Sequence, residues 1–284
     1  MRIAFSTVGC PELSLEEVAR SASAWGYQGV ELRVSPAAGG APLPSDPLRA
    51  DAAEMRGLFA DAGVDLLSIA TGVRFDAPVW PPVLGHLLGG AETGVPETKE
   101  AVSQAARAGA FFVRVFGHEL PGGEPRAWGL RRVSERLALA AQTARNTSVR
   151  VLIENGGSFS RAAELAELHG LVNSPFLSMA YNIVPAVLAG ENPLEGVETL
   201  LHGLRVVKVG DVAEDGKPVA LGRGVMPVEP FVRHLREIGY EGWIVYEHPV
   251  LWRPEMRGAA GDAGASLGAA AATLFAWAGL GVGV

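Results

Sequence analysis

A helix that ends at glycine and gives way within a few residues to a short apolar run recurs along this chain. It is visible at Gly26-Tyr27-Gln28-Gly29-Val30-Glu31-Leu32, at Gly63-Val64-Asp65-Leu66-Leu67-Ser68-Ile69, at Gly109-Ala110-Phe111-Phe112-Val113-Arg114-Val115 and at Gly239-Tyr240-Glu241-Gly242-Trp243-Ile244. Glycine just past the last helical residue can take the left-handed conformation that turns a chain sharply, so each copy reads as a helix end feeding a strand. The runs are short, apolar and rich in β-branched residues, the pattern of parallel strands buried on both faces. Candidate strands cover 3–6, 30–33, 66–70, 112–116, 150–154, 177–181, 206–209 and 244–247. The first candidate helix opens with the capping box Ser14-Leu15-Glu16-Glu17 and carries Leu15, Val18, Ala19, Ala22 and Trp25 at helical spacing. Further helices are expected around 46–62, 96–108, 128–145, 160–168, 193–201, 228–238 and 266–277. Eight strands alternating with eight helices through right-handed crossovers can close into a (β/α)8 TIM barrel. The rival, a doubly wound open sheet, would carry a Gly-x-Gly-x-x-Gly turn after its first strand, and none stands there. No linker or composition break divides the chain, so residues 1–284 read as one domain.

Two of the runs end in a carboxylate. Val149-Arg150-Val151-Leu152-Ile153-Glu154 is followed by Asn155-Gly156-Gly157, and Trp243-Ile244-Val245-Tyr246-Glu247 by His248-Pro249. The last residue of a parallel strand sits at the C-terminal mouth, where α/β barrels do their chemistry. Charged groups are rarely buried without a partner or a task. Two of them at equivalent strand ends, far apart in sequence, point to one shared site.

Charge and cysteine content exclude several classes. A net charge of −7 without a local Lys/Arg cluster argues against a nucleic-acid partner. The single cysteine, Cys10, rules out an internal disulfide and a thiolate metal cluster. Residues 264–284 carry no charge, but they are mostly Ala and Gly and read as a last helix plus tail rather than a membrane span. Met1-Arg2 runs directly into the first strand, so no signal peptide is read and a cytoplasmic protein is expected.

The strings Ile3-Ala4-Phe5-Ser6-Thr7, Tyr27-Gln28-Gly29-Val30-Glu31, Leu152-Ile153-Glu154-Asn155, Leu221-Gly222-Arg223-Gly224 and Gly239-Tyr240-Glu241-Gly242, in this order and spacing, resemble the xylose isomerase-like TIM-barrel superfamily of sugar-phosphate isomerases and epimerases. The resemblance covers nearly the whole chain. It implies a divalent metal, Mn or Mg, at the mouth, held by Glu after strand five, Asp after strand six, His on strand seven and Glu after strand eight. Glu154 and Glu247 match the two glutamates, which in such enzymes also form the acid–base pair that moves a proton between adjacent sugar carbons. The other two positions depart: Asn182 and Pro185 stand where Asp and a following His belong, and Lys208 stands three residues before Asp211 in place of His. Glu154, Glu247, Asn182 and Lys208 together carry a formal −1, against −3 for the usual set. A hard divalent cation wants oxygen ligands and negative charge, and ammonium is not a ligand. Lys208 is therefore expected near the metal position, pairing with the glutamates, polarising a carbonyl, acting as a base or forming a Schiff base.

Other residues carry lesser expectations. Arg114 alternates with Val113 and Val115 and can face the interior toward substrate oxygens or a glutamate, as can Glu31 and Arg33, which share one face of strand two. His248 points away from the side of Glu247. His118 and His86 lie in mouth loops and could replace a lost ligand. Arg223, between two glycines, could hold a phosphate or carboxylate. Tyr181, Trp80 and Trp252 could wall a pocket, and Phe5 is core. The long stretch 71–94, with Asp76, Trp80, Pro81, Pro82 and His86, is expected to fold over the mouth as a lid. The function expected is isomerisation or epimerisation of a small sugar, sugar phosphate or polyol, with Glu154, Glu247 and Lys208 catalytic and Arg114, Trp80, Asn182 and Arg223 binding substrate. A barrel that has lost its metal and only binds a small molecule, and a dehydratase of a keto-sugar or cyclitol, are the rivals. Expected partners are the small molecule and, where the chain assembles, copies of itself, with neither nucleic acid nor membrane. A metal-dependent DNA-repair nuclease of the same fold would need a histidine cluster and a basic surface; the chain has six His and is acidic.

Overall fold

The computed structural model describes residues 1–35, 42–78, 92–252 and 263–281. In chain order the elements are β1 (Arg2–Ser6), α1 (Leu15–Ala24), β2 (Gly29–Arg33), α2 (Ala52–Asp61), β3 (Asp65–Arg74), α3 (Val95–Ala108), β4 (Phe112–Phe116), α4 (Arg126–Gln142), β5 (Arg150–Glu154), α5 (Ala162–Val172), β6 (Leu177–Asn182), α6 (Ile183–Leu188), α7 (Pro193–Glu198), β7 (Leu204–Val209), β8 (Asp211–Val212), β9 (Pro218–Val219), α8 (Val228–Glu237), β10 (Trp243–Tyr246) and α9 (Ala263–Ala278). Strands β1 to β7 and β10 form a closed barrel, and every neighbouring pair in it is parallel. The expected single-domain (β/α)8 barrel is the fold.

Its construction follows local chemistry. The Ser14 side chain accepts from the Glu17 amide while the Glu17 carboxylate takes the Ser14 amide, which fixes the start of α1. Gly109 caps α3 with φ +80°, a conformation that would strain a β-carbon, and the chain turns straight into β4. Alternate strand residues then split into two layers. One set faces the helices and joins a large core that includes Ile3, Phe5, Val30, Ile69, Val113, Ile153, Val207 and Ile244. The other points into the barrel, where Ala4, Leu67, Phe112, Leu152, Ala180, Val206, Trp243 and Val245 form a separate cluster.

Differences from the sequence reading are local. Strand β3 continues to Arg74 rather than ending at 70. Helix α6 was not expected; Asn182 caps it by accepting from the Val184 amide. The antiparallel pair β8–β9 is also additional. Most of the expected lid, with Trp80 and His86, lies outside the described residues. Its root does not: Arg136 donates to the carbonyls of Phe75 (2.8 Å) and Ala77 (2.6 Å), and Arg132 to that of Asp76 (3.1 Å), tying the start of the loop to α4. Among the described residues no helix is long and apolar enough to cross a membrane.

Candidate functional site

Inward-facing residues at the C-terminal ends of the strands form one ion network. The Lys208 ammonium, on β7, lies 3.0 Å from Glu31 Oε1 and 3.2 Å from Glu154 Oε2, and it also contacts Glu247 Oε2. Glu31 comes from β2, Glu154 ends β5 and Glu247 follows β10, so one nitrogen gathers carboxylates from three strands. Ser68 donates to the second oxygen of Glu31 (3.0 Å). Asn182 Nδ2 donates to Glu154 Oε1 (3.1 Å). The Arg114 Nε lies 3.2 Å from Glu154 Oε2 but is not aligned for a hydrogen bond; its Nη1 donates to the Thr71 carbonyl at 2.8 Å. Lys208, Glu31, Glu154 and Arg114 are buried, whereas the Glu247 side chain is 24% exposed.

The electrostatics follow from that crowding. Burial alone would push the Lys208 ammonium down; Glu154, Glu247 and Glu31 outweigh it and hold its pKa well above the ordinary lysine range. For Glu31, burial acts upward, but the charges of Lys208 and Arg114 and the hydrogen bonds from Lys208 and Ser68 prevail and bring it down to about 2. Lys208 is thus held as a cation. The cationic form is the one that can stabilise an oxyanion, whereas a general base or a Schiff-base nucleophile must be neutral. Glu31, Arg33 and Arg114 join the four family positions, whose own sum stays at −1. Glu31, Glu154 and Glu247 face Arg33, Arg114 and Lys208, and the network sums to zero.

The donor set does not fit a divalent metal. An ammonium sits where the carboxylates converge. The Asn182 amide is committed as well: its Oδ1 accepts the Val184 amide at 3.1 Å, and its Nδ2 faces Glu154. Asn155 locks this arrangement, accepting from the Asn182 amide (2.6 Å) and donating to the Asn182 carbonyl (2.9 Å). Among the described residues no cluster of His, Cys, Asp or Glu is arranged to hold a metal. The metal role that the resemblance implies for Glu154 and Glu247 is therefore not supported by the residues around them.

The remaining sequence-predicted residues divide cleanly. His248 is buried and stacks on Tyr246, away from the Glu247 side, as alternation requires. Tyr181 is corrected: it points into the outer layer and donates to Glu191 (2.6 Å), so it does not wall the mouth. His118 packs on Phe116 at 5.8 Å and pairs with none of the carboxylates. Arg223 is exposed, with no ion pair among the described residues, so it stands apart from the network. The glycines beside it have a structural task. Asp211 accepts from the amides of Val212, Gly222, Gly224 and Met226, and this cage shapes the loop after β7. Trp252 is half exposed, and its ring lies 5.3 Å from the Arg33 guanidinium. Ser6 and Ser68 were missed as neighbours of Glu31; their inward position on β1 and β3 was the available signal.

Comparison with known proteins agrees with this architecture. The family model described as xylose isomerase-like TIM barrel matches residues 19–268, and the chain belongs to that family. A search of curated proteins finds no match. Among solved structures, the IolI protein with a bound zinc atom has a TM-score of 0.80 at 16% identity, covering 98% of both chains. D-psicose 3-epimerase in the presence of D-fructose has a TM-score of 0.76 at 14% identity, covering 98% of this chain and 100% of that one. The probable 3-DHS dehydratase AsbF from Bacillus anthracis has a TM-score of 0.74 at 14% identity, covering 96% and 98%. At these identities the likeness is one of fold.

Proposed function

We propose, for this member of the xylose isomerase-like family, that the barrel mouth moves a proton at a carbon next to a carbonyl in a small sugar or related polyol. The observation that carries the reading is the pair Glu154–Glu247, on β5 and after β10, joined through one buried ammonium at the C-terminal mouth. The two glutamates do different work. Glu154 spends its oxygens on Lys208, Arg114 and Asn182. Glu247 has one ion-pair partner among the described residues and is the partly open member, so it is the carboxylate that can reach substrate. In the proposed step Glu247 takes the proton from carbon, the C–H electrons move to the carbonyl oxygen, and Lys208 stabilises the enediolate with its fixed charge. Return of a proton from Glu247, partly exchanged with solvent, to the former carbonyl carbon, while the hydroxyl proton of the first carbon passes to the former carbonyl oxygen, completes an isomerisation. Epimerisation needs a second carrier on the other face, which requires Glu154 to release one of its donors. Arg114 and Asn182 hold Glu154, and hence Lys208, in place. No metal enters the scheme, because Lys208 supplies the positive charge.

The test is solvent exchange. Chelator-treated protein is incubated in D2O with a panel of ketoses, ketose phosphates and keto-sugar acids, and deuterium at the carbon beside the carbonyl is followed by NMR. Exchange is expected, with Glu247→Gln slowing it by about 10²–10⁴-fold. Folded protein that exchanges no member of the panel would sink the proposal. Loss of water from the sugar would mark the dehydratase instead. A second reading, a barrel that binds without turning over, is favoured by the mutual neutralisation of the network. A ligand that raises the melting temperature without exchanging would establish it.

A further inference from the structure

One cation at the mouth lacks what the other two have. Lys208 and Arg114 each have a carboxylate within 4.0 Å, whereas Arg33 has none among the described residues. Arg33 is only 7% exposed. Its backbone is fixed by Thr7, whose hydroxyl accepts the Arg33 amide at 2.9 Å, and its Nη1 donates to the Ala70 carbonyl at 2.8 Å. Strand register sets Arg33 and Arg114 on either side of Ala70, so two guanidiniums lie on one rim. Gly72 lets the Arg33 head lie against the backbone; a β-carbon there would stand 3.3 Å from Nη2. The Trp252 ring packs on the head at 5.3 Å. What stays unpaired is the Nε–Nη2 edge. Nε is buried, and among the described residues neither it nor Nη2 makes a hydrogen bond. Nearby, Ser6 Oγ is buried without a hydrogen-bond partner among the described residues, one strand from Glu31.

A buried guanidinium with its two-donor edge unused is costly unless a ligand completes it. Burial and the neighbouring Arg114 charge push the Arg33 pKa down to about 10, the direction expected of a cation short of an anion. That edge matches the two oxygens of a carboxylate in the plane of the fork. A phosphate dianion suits it less, because Glu31, Glu154 and Glu247 all bear on the same site.

We propose that Arg33 receives a carboxylate of the ligand, so that the substrate of this barrel is a sugar acid or similar polyhydroxy acid rather than a neutral sugar. Ser6 Oγ is assigned to one of its hydroxyls. The inference rests on the proton-transfer reading for its choice of site but is tested by binding alone. The probes are D-gluconate, its neutral counterpart D-glucitol, and D-glucitol 6-phosphate, followed by melting temperature and calorimetry. Gluconate is expected to bind and raise the melting temperature, and glucitol to do neither at the same concentration. Arg33→Met is expected to weaken gluconate by about 10- to 100-fold, with Arg33→Lys intermediate. The unliganded Arg33→Met protein is expected to melt no lower than wild type, since the Ala70 carbonyl keeps the Val34 amide at 3.1 Å. Equal binding of glucitol, preference for the phosphate, no binding of gluconate, or unchanged gluconate affinity in both variants would each overturn the inference. Gluconate binding without exchange of any sugar acid in D2O would leave Arg33 as the carboxylate receptor and defeat the proton-transfer reading alone.

Discussion

The two ends of the barrel are built on the same strands with the same alternation, and they are filled in opposite ways. At the base, Trp243 is the plug. Its ring comes so close to Gly29 that a β-carbon there would stand 2.6 Å away, and Leu67, Phe112, Leu152, Val206 and Val245 close around it. At the mouth, one inward position further along β7, β5 and β10, stand Lys208, Glu154 and Glu247. Apolar burial at the base stabilises the fold at about 25 cal/mol per Å² removed from water. Burying three carboxylates and three cations returns far less, because desolvation cancels most of the Coulomb attraction. The mouth is thus the end where stability has been given up for charges held in fixed positions, which is what a site needs and a core does not.

Breaking the mouth should have the largest effect. Lys208→Met leaves Glu31, Glu154 and Glu247 facing one another without their shared cation. A loss of about 3–5 kcal/mol at neutral pH is expected in denaturant unfolding, with part recovered in acid as the carboxylates protonate. Unchanged stability would mean that Lys208 is not the centre of the network. Replacing rather than deleting the cation sharpens the point. Lys208→His with Asn182→Asp supplies the imidazole and oxygen that the family pattern carries, so this double variant should bind Mn²⁺ tightly where wild type binds it weakly. Stoichiometric, chelator-resistant metal in the wild-type protein would refute the replacement of metal by Lys208.

Breaking the base should cost almost as much but in a different currency. Trp243→Ala removes the plug and opens a cavity, with an expected loss of about 3–5 kcal/mol. The remaining folded protein should keep its solvent exchange and its response to gluconate, measured below its lowered melting point. If the mouth fails along with the base, the two ends are mechanically coupled and the contrast drawn above is too sharp.

Acid should weaken the mouth rather than the apolar plug of the base. The folded-state pKa of Glu31 is depressed from 4.5 to about 2. Its contribution is therefore present above about pH 4.5 and is lost as pH falls through about 2, a few kcal/mol in all. Lys208 has the opposite sign. Its pKa is raised, so its contribution is full below the ordinary lysine value and fades only above it. Both describe the same interaction and are not summed. Unfolding midpoints between pH 4.5 and 2 should fall less for Glu31→Gln than for wild type; parallel curves would remove Glu31 from the network.

What could be read from sequence divides along the same line. All eight barrel strands were legible, because buried parallel strands are continuous apolar runs bounded by glycine. Glu154 and Glu247 stood out as carboxylates closing such runs. Glu31 was placed on the right face of β2, yet nothing in Gly-Val-Glu-Leu-Arg says that its carboxylate meets a lysine far along the chain at 3.0 Å. Pairings across the barrel depend on closure, which no local window contains. Helix α6 was illegible because Pro185 reads as a breaker, although proline is tolerated in a first helical turn. Asp211 was read only through the family pattern; its four amide donors come from a loop whose path the sequence does not fix.

The smallest effect is expected from an ion pair of the same kind at the wrong end. Arg2 and Asp65 meet at 2.5 Å at the base, a closer contact than Lys208 makes with Glu31, and Arg2 also lies over the Trp243 ring at 4.1 Å. By distance alone this pair would be the stronger. Its side chains are 44% and 37% exposed, however, so water screens the attraction and solvates either partner when the other is removed. Asp65→Asn should therefore cost less than about 1 kcal/mol, and less still in high salt. Arg2→Met should cost somewhat more, because the stem and the contact with Trp243 go as well. A double-mutant cycle over the two positions separates the ion pair from the ring contact. A coupling energy near that of the Lys208 network would show that distance, not burial, sets the value of charge in this barrel, and would remove the physical ground for treating its two ends differently.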